Sequence, residues 1–334
     1  MARIVCFGEL LLRLGAPRRE RLLQSPRFDV CYGGAEANVA IALARLGHAS
    51  AMASVVPRNE LGAAAAGELR RQGVDTSQVL EGDGRMGLYY LAAGAMQRPS
   101  EVLYDRADSA FARAEPGAID WSRALEGATH LHLSGVSPAL GARAAEATLR
   151  AARAGRAQGL VVSFDGNYRQ KLWQAWDGDS RAILGALFAE VDVLFADQRD
   201  IGVALGRRFE GADALSQAVG AAFAAYPRLA RIATTTRTQH DVDRHELGAV
   251  LLTRAERFEA GPETLAGIVD RIGAGDAFAA GVLHGLIEGR GEGESLRLGL
   301  ASACLKHATP GDAGLATRAE LDAFLAERRY DVRR

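Results

Sequence analysis

Short apolar runs and helical periodicity alternate along almost the whole chain, and few folds accommodate that order. RIVCF at 3–7, AMASVV near 51–56, THLHLS at 129–134, LVVSFD at 160–165, VDVLFA at 191–196 and a run at 229–235 have the length and β-branched content of buried strands. Helical patterns fall between and after them, at 37–46, 60–72, 139–154, 178–188, 211–225, 276–288, 293–307 and 318–328, the first two stopping at Gly47 and Gly73. A strand followed by a helix and another strand returns over the sheet, so the pattern predicts a parallel sheet with helices on both faces. Three stretches break the rhythm. Residues 14–32 lose clear periodicity, 82–108 read as two short strands turning near Gln97-Arg98-Pro99, and 248–260 look like a second hairpin. A hairpin inside an α/β chain suggests an added sheet or lid.

The totals narrow the ligands. Among 334 residues, 40 Lys and Arg face 41 Asp and Glu, a net charge of −1, so no broad basic field draws in nucleic acid or an anionic membrane. Any anion has to be caught locally. Cys6, Cys31 and Cys304 are an odd count without metal-type spacing, as expected of reduced thiols. The apolar N-terminal run is interrupted by Glu9 and Arg13, and no 18-residue uncharged apolar stretch occurs, so the expected location is the cytoplasm.

RIGAGDAFAAG, residues 271–281, is where an anion trap can be built. A glycine-rich turn leaves backbone N–H groups uncovered, and the helix that follows adds its free N-terminal donors and dipole. Asp276, expected to cap that helix, places a carboxylate at the mouth of the cradle. In doubly wound sheets ligands bind beyond the carboxyl ends of the strands, which collects Glu9, Asp165, Asn167, Arg169, Asp197 and Asp200 with the 273–276 turn on one edge.

YGGAEANVAIALARLG at 32–47 and DRIGAGDAFAAGVLHGL at 270–286 resemble the two signatures of the ribokinase-like, or PfkB, sugar kinases. Between them GLYYL (87–91), VLYDR (102–106), LHLSGVSPAL (131–140) and SFDGNYRQKLW (163–173) are similar to the 2-keto-3-deoxygluconate kinase branch. The resemblance spans nearly the whole chain. It implies one ribokinase-like domain over 1–334, a three-layer α/β/α unit with a mainly parallel sheet and a small β-sheet lid from about 14–32 and 82–108. It also implies ATP, Mg²⁺ and a sugar acid as ligands, with a monovalent cation as a candidate activator.

Residue by residue, the resemblance makes Asp276 the base for the primary hydroxyl of the sugar, while the N–H groups of Gly273, Ala274, Gly275 and Asp276 steady the phosphoryl group. Gly34 and Asn38 are expected at the sugar, and Asn167, Thr235, Arg237, Gly273 and Gly275 at the nucleotide. Arg106 and Arg169 are the guanidinium candidates for a sugar carboxylate, with Tyr89 and Tyr104 beside them. Asp197 and Asp200 take the place of an Asn-x-x-Glu element that acts on Mg²⁺ through water in relatives. TTTRTQHDVDRHELGAV at 234–250 stands where relatives carry spaced glycines, and Thr235, Thr236 and Arg237 are left to reach phosphate or ribose. His240 and His245 with Asp241, Asp243 and Glu246 match no ligand spacing and read as a polar surface loop. Phe278, Val282 and Leu286, with Gly281 and Gly285, read as a packing face. The substrate expected first is 2-keto-3-deoxygluconate. The alternatives are 2-keto-3-deoxygalactonate, fructose or ribose, or a non-catalytic sugar-acid sensor. Apolar residues on 87–92 and 102–104 suit self-association through the lid, and neither nucleic acid nor membrane is expected as a partner.

Overall fold

A computed structural model describes residues 2–326, so the end of the helix expected at 318–328 lies outside the described residues. Among the described residues thirteen strands form two sheets. They are β1 (Arg3–Phe7), β2 (Leu11–Gly15), β3 (Asp29–Gly33), β4 (Ala49–Pro57), β5 (Asp75–Gly82), β6 (Gly87–Ala92), β7 (Glu101–Asp105), β8 (His130–Ser134), β9 (Val161–Asp165), β10 (Val193–Phe195), β11 (Arg231–Gln239), β12 (Arg244–Thr253) and β13 (Arg257–Ala266). The large sheet runs β13-β12-β11-β10-β9-β8-β1-β4-β5, parallel from β5 to β11 and antiparallel across β12 and β13. From β1 the chain builds outward to β4 and β5, then returns to build the other half from β8. The order therefore reverses between β1 and β8, where open α/β sheets form their crevice.

Successive side chains of each central strand serve opposite faces, which divides the core in two. Val5, Leu131, Leu133, Val162, Phe164 and Leu194 pack toward the helices Ala142–Ala157, Ser180–Phe188 and Ala214–Ala225. Ile4, Cys6, Met52, Val193 and Phe195 pack toward Ala35–Arg45, Ala274–Ile287 and Glu292–His307. Burial on both faces is why these strands read as continuous apolar runs. Phe278 and Val282 lie in the second core, as expected of a packing face, and the backbone of Leu298 and Gly299 lies so close to Gly281 that a Cβ there would sit 2.6 Å from Leu298 O.

The lid is a four-stranded sheet, β3-β2-β6-β7, with β2 and β6 parallel and the outer pairs antiparallel. Part of the aperiodic 14–32 stretch is thus strand. β2 escapes a periodicity search because it is five residues long, follows β1 closely, and has Leu11, Leu12 and Arg13 all buried. Its register places Arg13, Tyr89 and Tyr104 side by side on one face and Leu14, Val30, Tyr90 and Leu103 on the other, where Val30 and Leu103 are half exposed.

One further expectation needs correction in part. The polar surface loop read at 240–246 is a turn at 240–243 joining β11 and β12, which pair in register from Arg231↔Thr253 to Gln239↔His245; His245 is not on that surface but fully buried. The pairing partner lies across a turn of polar residues, and those residues dominate the local composition. The helix Gln198–Leu205 and the edge strand β5 were also invisible, one for its eight-residue length and the other for its mixed burial. Among the described residues no helix is long and apolar enough to cross a membrane.

Candidate active site

The crevice is built around the turn before helix Ala274–Ile287. Gly273 sits at φ 78° and caps the helix; a Cβ there would lie 1.7 Å from the carbonyl oxygen of Asp312. Only glycine meets both conditions. The Cβ position of Gly275, by contrast, has no atom within 4 Å. Helix geometry leaves the N–H groups of Gly275 and Asp276 without intrahelical acceptors, whereas Ala274 N–H donates to Arg271 O at 3.3 Å. The candidate anion cradle is therefore narrower than the four residues expected, and open at Gly275.

Asp276 is not the helix cap. It is the third helical residue, buried, and its Oδ2 accepts from Asn38 Nδ2 at 2.7 Å. Burial pushes its pKa up to about 7, with Asp312 and Glu36 adding to the rise and the Asn38 hydrogen bond and Arg169 opposing it. A carboxylate half ionised near neutrality is suited to taking a proton. Asn38 Oδ1 is buried without a partner among the described residues, an acceptor that a bound hydroxyl would satisfy.

Lid and crevice meet through paired charges that local sequence could not reveal. Arg13 on β2 reaches Asp270 at 2.8 Å and Asp312 at 3.0 Å, and Tyr89 donates its hydroxyl to Asp312 Oδ2 at 2.7 Å. Tyr89 is thus occupied, while Tyr104 lies directly across from it, partly buried. Arg106 was expected to face a substrate carboxylate unpaired. Instead its Nε donates to Glu9 Oε2 at 2.6 Å, both side chains buried, and the pair is neutral overall. Gly34, at φ 139°, lets the backbone pass Glu9, whose carbonyl oxygen would lie 2.3 Å from a Cβ. Glu36, also missed, is fully buried and accepts from Ser134 and Ser137 hydroxyls at 2.8 and 2.7 Å; burial is the main reason its pKa rises.

Arg169 differs from Arg106. Among the described residues it has no carboxylate at ion-pair distance and gives one hydrogen bond, to Tyr168 O at 3.2 Å. Its charge nonetheless opposes the raised pKa values of Asp165, Asp200 and Asp276, so it stands in their field.

Beyond the cradle opens a cleft of about 670 Å³ lined by Asp165, Asp197, Asp200, Thr234–Thr236, Arg237, Arg271, Gly275 and Phe278. Arg237 has no ion pair among the described residues, and desolvation first, then Arg271 and Arg199, press its pKa down. Arg199 is paired with Asp197 at 2.7 Å, whereas Arg237 beside Arg271 is left to meet a polyanionic ligand. Of the expected nucleotide residues Thr235, Arg237 and Gly275 line this cleft, while Asn167 and Gly273 stand outside its lining. Asp197 and Asp200 form a capping box on helix Gln198–Leu205: Asp197 Oδ1 accepts from the N–H groups of Arg199 and Asp200, and Asp200 Oδ2 from that of Asp197. Desolvation, then Asp197, raises Asp200 to about 6. Together with Asp165 and the buried, unpartnered Oδ1 of Asn167, the donors are all oxygens, the set Mg²⁺ prefers. The residues fit both a nucleotide polyphosphate and its metal.

A doubly wound sheet under a β lid, with a buried carboxylate beside a helix-start cradle and a polar cleft behind it, is the architecture of a nucleotide-dependent sugar kinase. The chain belongs to the pfkB family of carbohydrate kinases, whose model matches residues 1–317; kinases of this family use ATP with Mg²⁺. It is 35% identical over 327 residues to the 2-dehydro-3-deoxygalactonokinase of Haloferax volcanii, covering 97% of this chain and 96% of the relative. It is 30% identical over 337 residues to the 2-dehydro-3-deoxygluconokinase of Bacillus subtilis, again covering 97% and 96%. The crystal structure of 2-dehydro-3-deoxygluconokinase from Thermotoga maritima superposes with a TM-score of 0.92 at 35% identity, covering 98% of this chain and 100% of that one.

Proposed function

We propose that the protein phosphorylates the primary hydroxyl of a 2-keto-3-deoxy sugar acid, with 2-keto-3-deoxygluconate named first and its galactonate epimer second. The observation that carries the reading is Arg169. A crevice holding Glu36, Asp165, Asp200, Asp276 and Asp312 repels an acidic sugar, and Arg169, with no carboxylate at ion-pair distance among the described residues, is the guanidinium whose charge opposes the raised pKa values of both Asp165 and Asp276. Arg106, neutralised by Glu9, adds donors without net charge. The epimer is kept because a galactonokinase and a gluconokinase resemble the chain equally, at 35% identity.

In this reading the sugar lies under Tyr89 and Tyr104, with its carboxylate at Arg169 and its terminal hydroxyl at Asp276. Asp276 takes the hydroxyl proton as the oxygen attacks the terminal phosphorus of ATP; the new O–P bond forms as the bond to the departing ADP breaks. The N–H groups of Gly275 and Asp276 receive the negative charge of the moving phosphoryl group. Bound Mg²⁺ supplies charge neutralisation on the phosphates, and Asp165, Asp200 and Asn167 are the residues that would hold it, directly or through water. An open cradle beside a carboxylate near its pKa has no use in a sensor, which speaks against the non-catalytic alternative.

The test is ADP release with ATP, Mg²⁺ and each of 2-keto-3-deoxygluconate, 2-keto-3-deoxygalactonate, gluconate, fructose and ribose. Preference for the keto-deoxy acids, with Arg169→Ala raising their KM about thirtyfold while leaving neutral sugars unchanged, supports the reading. Equal turnover of fructose or ribose would refute it.

A further inference from the structure

Lys306 is one of the largest fully buried side chains, at 1% exposure. A buried ammonium is costly unless its protons find acceptors, yet among the described residues no carboxylate lies within ion-pair distance of it. Its Nζ donates instead to two main-chain carbonyls, Asp270 O at 3.3 Å and Thr309 O at 3.0 Å. Those carbonyls begin the two arms that shape the cradle. From Asp270 the chain runs to Gly273 and Asp276, with the Asp270 carboxylate accepting from Ile272 N–H and Gly311 N–H at 3.0 and 3.1 Å. From Thr309 it runs to Asp312, whose carbonyl oxygen fills the space beside Gly273.

The helix carrying Lys306 is stapled to the same place. His307 O accepts from Val269 N–H at 2.9 Å and Asp270 N–H at 3.3 Å, and Lys306 O from Thr309 N–H at 3.1 Å. A cation at this end also answers the negative pole of helix Glu292–His307. Desolvation lowers the pKa of Lys306, and Asp270 and Asp312 hold it up, so the charge belongs to the same electrostatic unit as the lid contact of Arg13.

We propose that Lys306 is a positioning residue whose ammonium acts as a tethered monovalent cation, binding the Asp270 and Thr309 arms together and so fixing the phosphoryl cradle and Asp276. The inference rests on the phosphoryl-transfer reading of that cradle. Lys306 touches no reactant; it acts through the backbone of residues 270–276. The carbonyl pocket is filled from within, so the wild-type enzyme gains nothing from added K⁺ or NH₄⁺.

Lys306→Ala empties the pocket and Lys306→Met refills it without charge. Turnover is measured in tetramethylammonium, Na⁺, K⁺ and NH₄⁺ chlorides at one ionic strength, with thermal unfolding followed in the same buffers. In tetramethylammonium, kcat of both variants falls about tenfold or more while the sugar KM stays within about threefold, the signature of a transition-state interaction. K⁺ or NH₄⁺ restores kcat of Lys306→Ala and raises its melting temperature, does neither for Lys306→Met, and leaves the wild type unchanged. Retention of kcat within about twofold in Lys306→Ala overturns the proposal, as does a folded Lys306→Ala that loses kcat and ignores all four cations. If that variant does not fold, wild-type dependence on K⁺ or retained activity in Lys306→Met overturns it, and their opposites support it. Wild-type inactivity on every sugar would count against the substrate reading alone, because the melting response of Lys306→Ala still decides the cation pocket.

Discussion

Replacing Asp276 with Asn should make the protein more stable and inactive at once. The substitution is nearly isosteric, and the new amide oxygen can still accept from Asn38 Nδ2, now 2.7 Å from Asp276 Oδ2. What disappears is a buried charge. A carboxyl whose pKa is about 7 in the folded chain and about 3.9 unfolded costs roughly 4 kcal/mol once both forms are ionised. The direction follows from proton binding: the folded state holds the proton more tightly, so the favourable contribution is complete below about pH 4 and is lost as pH rises through 7. Denaturant unfolding of the wild type and Asp276→Asn at half-unit steps from pH 4 to 9 should show the variant ahead by a margin that widens to pH 7 and then stays level. Over the same range log kcat/KM of the wild type rises with unit slope and flattens above 7, while the variant loses at least about a thousandfold. A variant no more stable than wild type at pH 8, or one keeping a tenth of kcat, would refute the account of Asp276 as a desolvated base.

The two glycines of the cradle should separate fold from chemistry. Gly273→Ala forces a side chain into the left-handed region against Asp312 O and should destabilise by more than about 2 kcal/mol in denaturant melts; Gly275→Ala meets no atom within 4 Å, so it should melt like the wild type and lose phosphoryl transfer. Full activity in Gly275→Ala would remove it from the cradle. Arg237→Ala relieves repulsion with Arg271 and should raise the KM for ATP about tenfold without changing that for the sugar, as steady-state kinetics with each substrate varied in turn would show.

Much of the site was legible because its parts are local. Gly273 through Asp276 combine a required backbone conformation with a functional group in four consecutive residues, and Asn167 and Arg169 follow directly on a strand end. Arg106 and Tyr89 show the limit of that reading. Each was expected at the substrate, yet their partners, Glu9 and Asp312, lie 97 and 223 positions away, and no local pattern says that a side chain is already engaged. Arg13, Asp270, Asp312, Glu36 and Lys306 were missed for the same reason: each looks ordinary in its own segment and gains its meaning from a distant one. Asp197 and Asp200 were weighed first as metal donors, although an acidic pair three apart before an apolar run also satisfies a helix start.

The alternation of buried strands with helices, the glycine turn and the carboxylate beside it were set by the sequence alone, because burial on both faces, left-handed backbone and helix-start donors are properties of a few neighbouring residues. Which arginine already has a carboxylate partner, how far Asp276 is desolvated, and which cation meets the Asp270 carbonyl were decided only by tertiary structure. Those quantities depend on electrostatics between groups that the chain brings together from its two ends, and charge interacts through distance in space rather than distance in sequence.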